Sequence, residues 1–139
     1  MIKSGSEILL QRVENLEENI VNLNRLKERY SIEDIMANKL DEWALRYGIF
    51  ESIQIIIDIA CHLSSKYNLG SAKSYVECIE NLQKQNYIDK DLAKSLISAI
   101  GLRNLLIHEY VKIDVERLYS FLDFTDDFSA FIKAVKGYI

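Results

Sequence analysis

No proline occurs anywhere in this chain of 139 residues. Proline suits turns and loop entries but costs about 3 kcal/mol inside a helix. Its complete absence, beside only five glycines, describes a chain of many helices and short loops. The 49% hydrophobic fraction excludes a disordered tail or linker. The length fits one domain over residues 1–139. No apolar run approaches the roughly 18 residues of a membrane-spanning helix, and the N-terminal stretch lacks a signal-peptide core and cleavage pattern. Cys61 and Cys78 are single and widely spaced, so they read as reduced thiols, small core residues of a soluble cytoplasmic protein.

Lys and Arg number 17 against 21 Asp and Glu, a net charge of −4. That balance disfavours a broad electrostatic grip on nucleic acid or an anionic membrane. It leaves room for a small local basic site, because net charge averages over the whole surface.

Apolar periodicity organises the chain. Leu9, Val13, Leu16, Ile20 and Leu23 form one seam, about two heptads long, which fits a bundle helix rather than an extended coiled coil. Ser31 then reads as an N-cap, with Glu33 and Asp34 in the first turn. From Ile32 one long helical stripe runs through Met36, Leu40, Trp43, Tyr47, Phe50, Ile53, Ile57, Ala60 and Tyr67, with a bend expected only at Gly48. Over 53–63 apolar residues nearly encircle the axis, marking a central helix or a subunit interface. Loop residues follow at Asn68 and Gly70, a short helix spans about 74–85, and Asp89 and Asp114 cap two further helices. The C-terminal segment carries two adjacent stripes. Leu118, Leu122 and Ile132 form one; Phe121, Phe124, Phe128, Phe131 and Val135 form the other, which suits core or interface better than base stacking. The fold class is all-α, a single bundle of about five helices.

The chemistry on offer is narrow. The only histidines are His62 and His108, and neither is preceded at three residues by the glutamate of a di-iron bundle. Cys61 and His62 are neighbours on different helix faces, so no zinc spacing survives, and no glycine-rich phosphate loop is present. No metal or cofactor is expected. What remains is a cluster near one helix end: Arg103, Asn104, His108, Glu109 and Tyr110. Arginine can bind a scissile phosphate bidentately, and histidine can exchange a proton with a 2′-hydroxyl or a leaving oxygen, so the set suits RNA cleavage without metal. Arg103 and His108 are five residues apart, roughly 140° around a straight helix, and converge poorly. A shared site requires helix termination near His108, or a second subunit. By spacing alone the cluster has an ordinary reading too: a surface arginine, a histidine complementing the helix dipole and an interface tyrosine. Asp58 and His62, four apart on one helix, either support the motif across the bundle or form a pair that satisfies itself.

Arg103-Asn104-x-x-x-His108-x-Tyr110 resembles the R-x4-H-x-Y motif of HepT-like toxins in the HEPN superfamily. The flanking segments agree in order: Asp58-Ile59-Ala60 in a long apolar helix, Ser74-Tyr75 opening a short one, Leu82 with Tyr87-Ile88 before the motif helix, and Ile113-Asp114 before the last. Relatives often carry a proline near 71–74; this chain does not. The resemblance implies a metal-independent endoribonuclease toxin acting as a homodimer, with the motif helices of two subunits meeting in a cleft. It implies His108 as general acid/base, Arg103 as phosphate binder and Asn104 as a positioning residue. It further implies a minimal nucleotidyltransferase antitoxin that adenylylates Tyr110, placing negative charge and bulk in the cleft. A reading from another class has the same fold: a non-catalytic helical adaptor that presents substrate to a nucleotidyltransferase. Intact Arg103 and His108 favour the nuclease.

Overall fold

The N-terminal seam forms α1, Gly5–Arg29, with Leu9, Val13, Leu16, Ile20 and Leu23 all buried. The computed structural model describes residues 5–108 and 112–139, and every element among them is helical.

Ser31 starts α2, Ile32–Ala37, through a reciprocal cap. Its hydroxyl accepts from the Asp34 N–H at 3.2 Å, and the Asp34 carboxylate accepts from the Ser31 N–H at 2.9 Å. The single long helix expected from Ile32 is interrupted at Asn38, which is extended (φ −131°, ψ 112°). Its side chain caps α3, Lys39–Lys66, accepting from the Leu40 N–H at 3.0 Å. The break therefore falls where a side chain offers the backbone an alternative partner. Gly48, the expected bend, lies inside α3. A Cβ there would come within 3.0 Å of Leu23 Cδ2, so the glycine admits α1 close to α3.

α3 is the central helix. Ile53, Ile55, Ile56, Ile57, Ile59, Ala60 and Leu63 are all buried. α1 runs antiparallel beside it, tied by Asn19 to Glu51 at 2.9 Å and by Arg12 to Asp58 at 3.1 Å. α3 ends in a left-handed turn at Asn68 (φ 52°), closed by Leu69 N–H to Ser64 O at 2.9 Å. Asn86 (φ 63°) ends α4, Tyr75–Lys84, in the same way.

The turn at 68–74 sends the chain back, so α4 lies alongside α3 in the same direction. Ser64 meets Asn81 and Cys61 meets Cys78 at one constant offset of 17 residues. Buried Asn81 donates to Ser64 Oγ at 3.0 Å and to the Gly70 and Ser71 carbonyls. Gly70 (φ +148°) is required here, since a Cβ would stand 2.9 Å from Asn81 Oδ1. This register corrects the expectation of two separate thiols. Cys61 and Cys78 form a disulfide between α3 and α4, with Cα atoms 4.9 Å apart. Their sequence spacing concealed the pairing because a doubled-back loop, not helical periodicity, brings them together.

Asp89 caps α5, Lys90–Ile107, through the Leu92 N–H at 2.8 Å. Leu92, Leu96 and Ile100 are buried. Asp114 caps α6, Val115–Ser120; a 3-10 turn over Phe121–Phe124 leads into α7, Thr125–Val135. Leu118, Leu122, Ile132, Phe121, Phe128, Phe131 and Val135 are all buried and Phe124 is half-buried against them, so the phenylalanine seam packs into the core. The expected count of about five helices becomes seven among the described residues, because Asn38 and the 3-10 turn each split a longer one. None of the helices in that part of the chain is long and apolar enough to cross a membrane.

Candidate active site

The last turn of α5 carries the cluster. Arg103 is half-buried and faces α3, where no carboxylate meets it directly; the first partner is an amide. Gln54 Oε1 accepts from Arg103 Nε at 3.0 Å and from Nη2 at 2.8 Å. Asn104 Oδ1 accepts from Nη1 at 3.1 Å. The guanidinium carbon also lies 5.1 Å from the Tyr75 ring centre and 5.8 Å from that of Phe50, within cation–π range of both. Of five guanidinium donors, Gln54 and Asn104 use three. One N–H on each terminal nitrogen is left to meet an anion.

Behind Arg103 the contacts continue as a chain. Gln54 Nε2 donates to Asp58 Oδ1 at 3.0 Å, and Asp58 Oδ2 pairs with Arg12 Nη1 at 3.1 Å. Asp58 is thus engaged by Gln54 and Arg12 rather than by His62, whose ring lies 3.5 Å from where a Cβ on Gly5 would stand. Among the described residues, the carboxylate reaches the motif through Gln54.

α5 ends at Ile107, and His108 is its C-cap, with φ −82° and ψ 91°. Helix termination is therefore the arrangement the chain adopts, and the 140° separation of a straight helix no longer limits where His108 goes. His108 and Asn104 are both exposed. Tyr110 lies outside the described residues. Arg46 Nη2 donates to the Ile113 carbonyl at 3.1 Å, tying the segment before α6 to α3.

Beside the cluster stands part of the long apolar stripe read from the sequence. Leu45, Ile49, Ser52 and Ile53 are the buried face of α3, whereas Met36, Leu40, Trp43 and Tyr47 are 57–68% exposed. Ile107 joins them from α5 at 44%. Trp43, Arg46, Tyr47, Phe50, Leu106 and Ile107 line a shallow, open groove of about 460 Å³. On this face Tyr47 donates its hydroxyl to Glu51 Oε2 at 2.6 Å. That bond, with a second from Asn19, holds the Glu51 carboxyl below its ordinary value, and the same bond raises the Tyr47 phenol. No group of three or more His, Cys, Asp or Glu side chains among the described residues could hold a metal ion.

Sequence reasoning missed Gln54, Phe50 and Tyr75 as partners of Arg103. A signal existed for the first two: Phe50, Gln54 and Asp58 recur every four residues and so share one face of α3.

Comparison with known proteins agrees with this architecture. The model of a family described as ribonuclease HepT-like matches residues 16–135. A tRNA nuclease HepT of Aphanizomenon flos-aquae is 27% identical over 121 residues, covering 84% of this chain and 82% of that protein. An mRNA nuclease HepT of Shewanella oneidensis is 30% identical over 82 residues, covering 58% of this chain and 62% of its own length. Among solved structures, a tri-AMPylated Shewanella oneidensis HEPN toxin in complex with its MNT antitoxin superposes with a TM-score of 0.85 at 21% identity, over 94% of this chain and 97% of that one. At that identity the likeness concerns the fold.

Proposed function

We propose for this chain, which belongs to the ribonuclease HepT-like family, the role of a ribonuclease toxin held in check by a nucleotidyltransferase antitoxin. The observation that carries the reading is an arginine held, among the described residues, by amide oxygens rather than by a carboxylate, one turn before a helix end, with His108 leaving that helix. The chemistry needs no more than these groups. One imidazole takes the proton of a 2′-hydroxyl, whose oxygen attacks the adjacent phosphorus. The bond to the 5′-oxygen breaks, and that oxygen receives a proton, leaving a cyclic phosphate and a free 5′-hydroxyl. Arg103 stabilises the charge that develops on the phosphoryl oxygens, and Asn104 helps hold its fork.

Two copies packed through their motif helices give such a site two imidazoles, one to take a proton and one to give it. The exposed stripe ending at Ile107 supports that assembly, since a soluble monomer rarely leaves a contiguous apolar face uncovered. The substrate places the protein in the cytoplasm. Tyr110 is the residue the antitoxin adenylylates; a related toxin is itself AMPylated in complex with its antitoxin. Added AMP would repel and occlude RNA.

Expression without a partner tests the reading. Wild type should arrest growth and cut RNA, while His108→Ala and Arg103→Ala should each lose roughly a hundredfold or more in cleavage rate. A wild type that neither slows growth nor cuts RNA, yet binds a nucleotidyltransferase, would establish the adaptor instead. Co-expression with the antitoxin should add AMP masses to wild type and none to Tyr110→Phe; persistence of the added mass would remove Tyr110 from the scheme.

A further inference from the structure

We infer that Gln54 is a positioning residue whose neutral amide orients Arg103 for phosphate and stands between it and the negative charge of Asp58. The inference rests on the ribonuclease reading for its biological meaning and on geometry for its substance. An arginine beside a carboxylate forms an ion pair that offsets its charge; one beside an amide oxygen is held by the same two donors and stays a full cation. Gln54 Oε1 takes Nε and Nη2 in this forked manner.

An amide, however, can turn over and present its NH₂ to the guanidinium, which would repel it. Asp58 prevents this. Its Oδ1 accepts from Gln54 Nε2 at 3.0 Å, so the nitrogen stays on the Asp58 side and the oxygen on the Arg103 side. Arg12 occupies the other carboxylate oxygen at 3.1 Å and offsets the charge of Asp58. The order Arg12, Asp58, Gln54, Arg103 thus alternates donors and acceptors without a mismatch, and it ends on a cation with donors to spare. Phe50 and Tyr75 supply only ring quadrupoles to that cation, which attract it without neutralising it.

Two variants of the full chain separate orientation from charge. Gln54→Leu removes the acceptor, so Arg103 loses its fork. Its kcat on a defined RNA should fall by about tenfold or more, and the Arg103 Nε–H signal in a nitrogen-15 NMR spectrum should lose its protection from water. The double variant Gln54→Glu with Asp58→Asn keeps both the total charge and the hydrogen-bonded chain, but moves the negative charge next to Arg103. It should fold with the wild-type circular dichroism and retain the protected Arg103 signal. Its KM should nonetheless rise by about tenfold or more, the scale of one charge acting over a few ångströms near a protein surface. The salt dependence of its affinity for a short single-stranded RNA should weaken by about 0.7 in logarithmic slope, the loss of one phosphate contact. A double variant that binds RNA as tightly as wild type overturns the charge argument. An Arg103 signal unchanged in Gln54→Leu overturns the positioning argument. Should Gln54→Leu fail to fold, the double variant decides alone. If wild type cuts no RNA, the ribonuclease reading fails, while the NMR comparison and the oligonucleotide affinities still judge Gln54.

Discussion

A guanidinium can be oriented by a carboxylate or by an amide, and α3 offers Arg103 the amide. The choice matters because a phosphodiester binds the charge that the protein has left unpaired. One turn before Gln54 the opposite arrangement occurs at Glu51, where a charged carboxylate receives hydrogen bonds from Tyr47 and Asn19. The Glu51 carboxyl lies below its ordinary 4.5, so its contribution to stability is present above that value and is lost as pH falls through the lowered one. The Tyr47 phenol lies above its ordinary 10.0, so its contribution is present below 10 and is lost as pH rises through the raised value. Tyr47→Phe should therefore flatten the thermal midpoint against pH at both the acid and the alkaline end. Equal slopes in wild type and variant would show that the bond is not held in solution. At this scale the motif letters Arg103, Asn104, His108 and Tyr110 were legible in the sequence, since residue type alone states what each can donate or accept. Gln54 was not singled out, because its role depends on a contact with a residue 49 positions away.

Helical elements follow from local rules to a good approximation. Ser31, Ser74, Asp89 and Asp114 all cap, as their residue types and places predict. Asn38 shows where the rule was incomplete. A residue that ends one helix and caps the next is readable as a cap, but the apolar stripe on both sides of it disguised the break. The stripe also divides in a way its spacing does not show: Met36, Leu40, Trp43 and Tyr47 stand in solvent, while Leu45 and Ile49 are buried. Periodicity reports that a face is apolar and not what covers it. Between elements, the Cys61–Cys78 link closes a loop of 17 residues that holds α4, and with it Tyr75, against α3. Closing a loop of that size stabilises a fold by about 3 kcal/mol where the geometry is unstrained. Cys78→Ala, or reduction of wild type, should lower the thermal midpoint by several degrees. Equal midpoints with and without reductant would mean that the packing around Asn81 holds α4 without the link.

For the molecule as a whole, a net charge of −4 disfavours a broad basic surface, so the proposed binding of RNA rests on a few local cations. Arg103, at the end of α5, is the cation proposed for that role, and the exposed face of Trp43, Tyr47 and Ile107 lies on the adjoining part of α3 and α5. Trp43→Glu places a charge in the middle of that face, so the proposed dimer should dissociate in sedimentation velocity and RNA cleavage should fall with it. A dimer unchanged by Trp43→Glu would move the interface elsewhere. The sequence by itself determined that the described part of the chain is helical, where most of its helices start, and which residue types are available for the proposed chemistry. Those properties depend on the absence of proline, on capping side chains and on apolar spacing, all of which act within a few residues. Only the tertiary structure decided that α4 lies parallel to α3 with its cysteine joined to Cys61, that the long apolar stripe divides into a buried and an exposed part, and that Gln54 meets Arg103. Each of these arises from how helices distant in sequence pack together. A one-dimensional pattern lists the groups available for contact, whereas packing selects the pairs that meet.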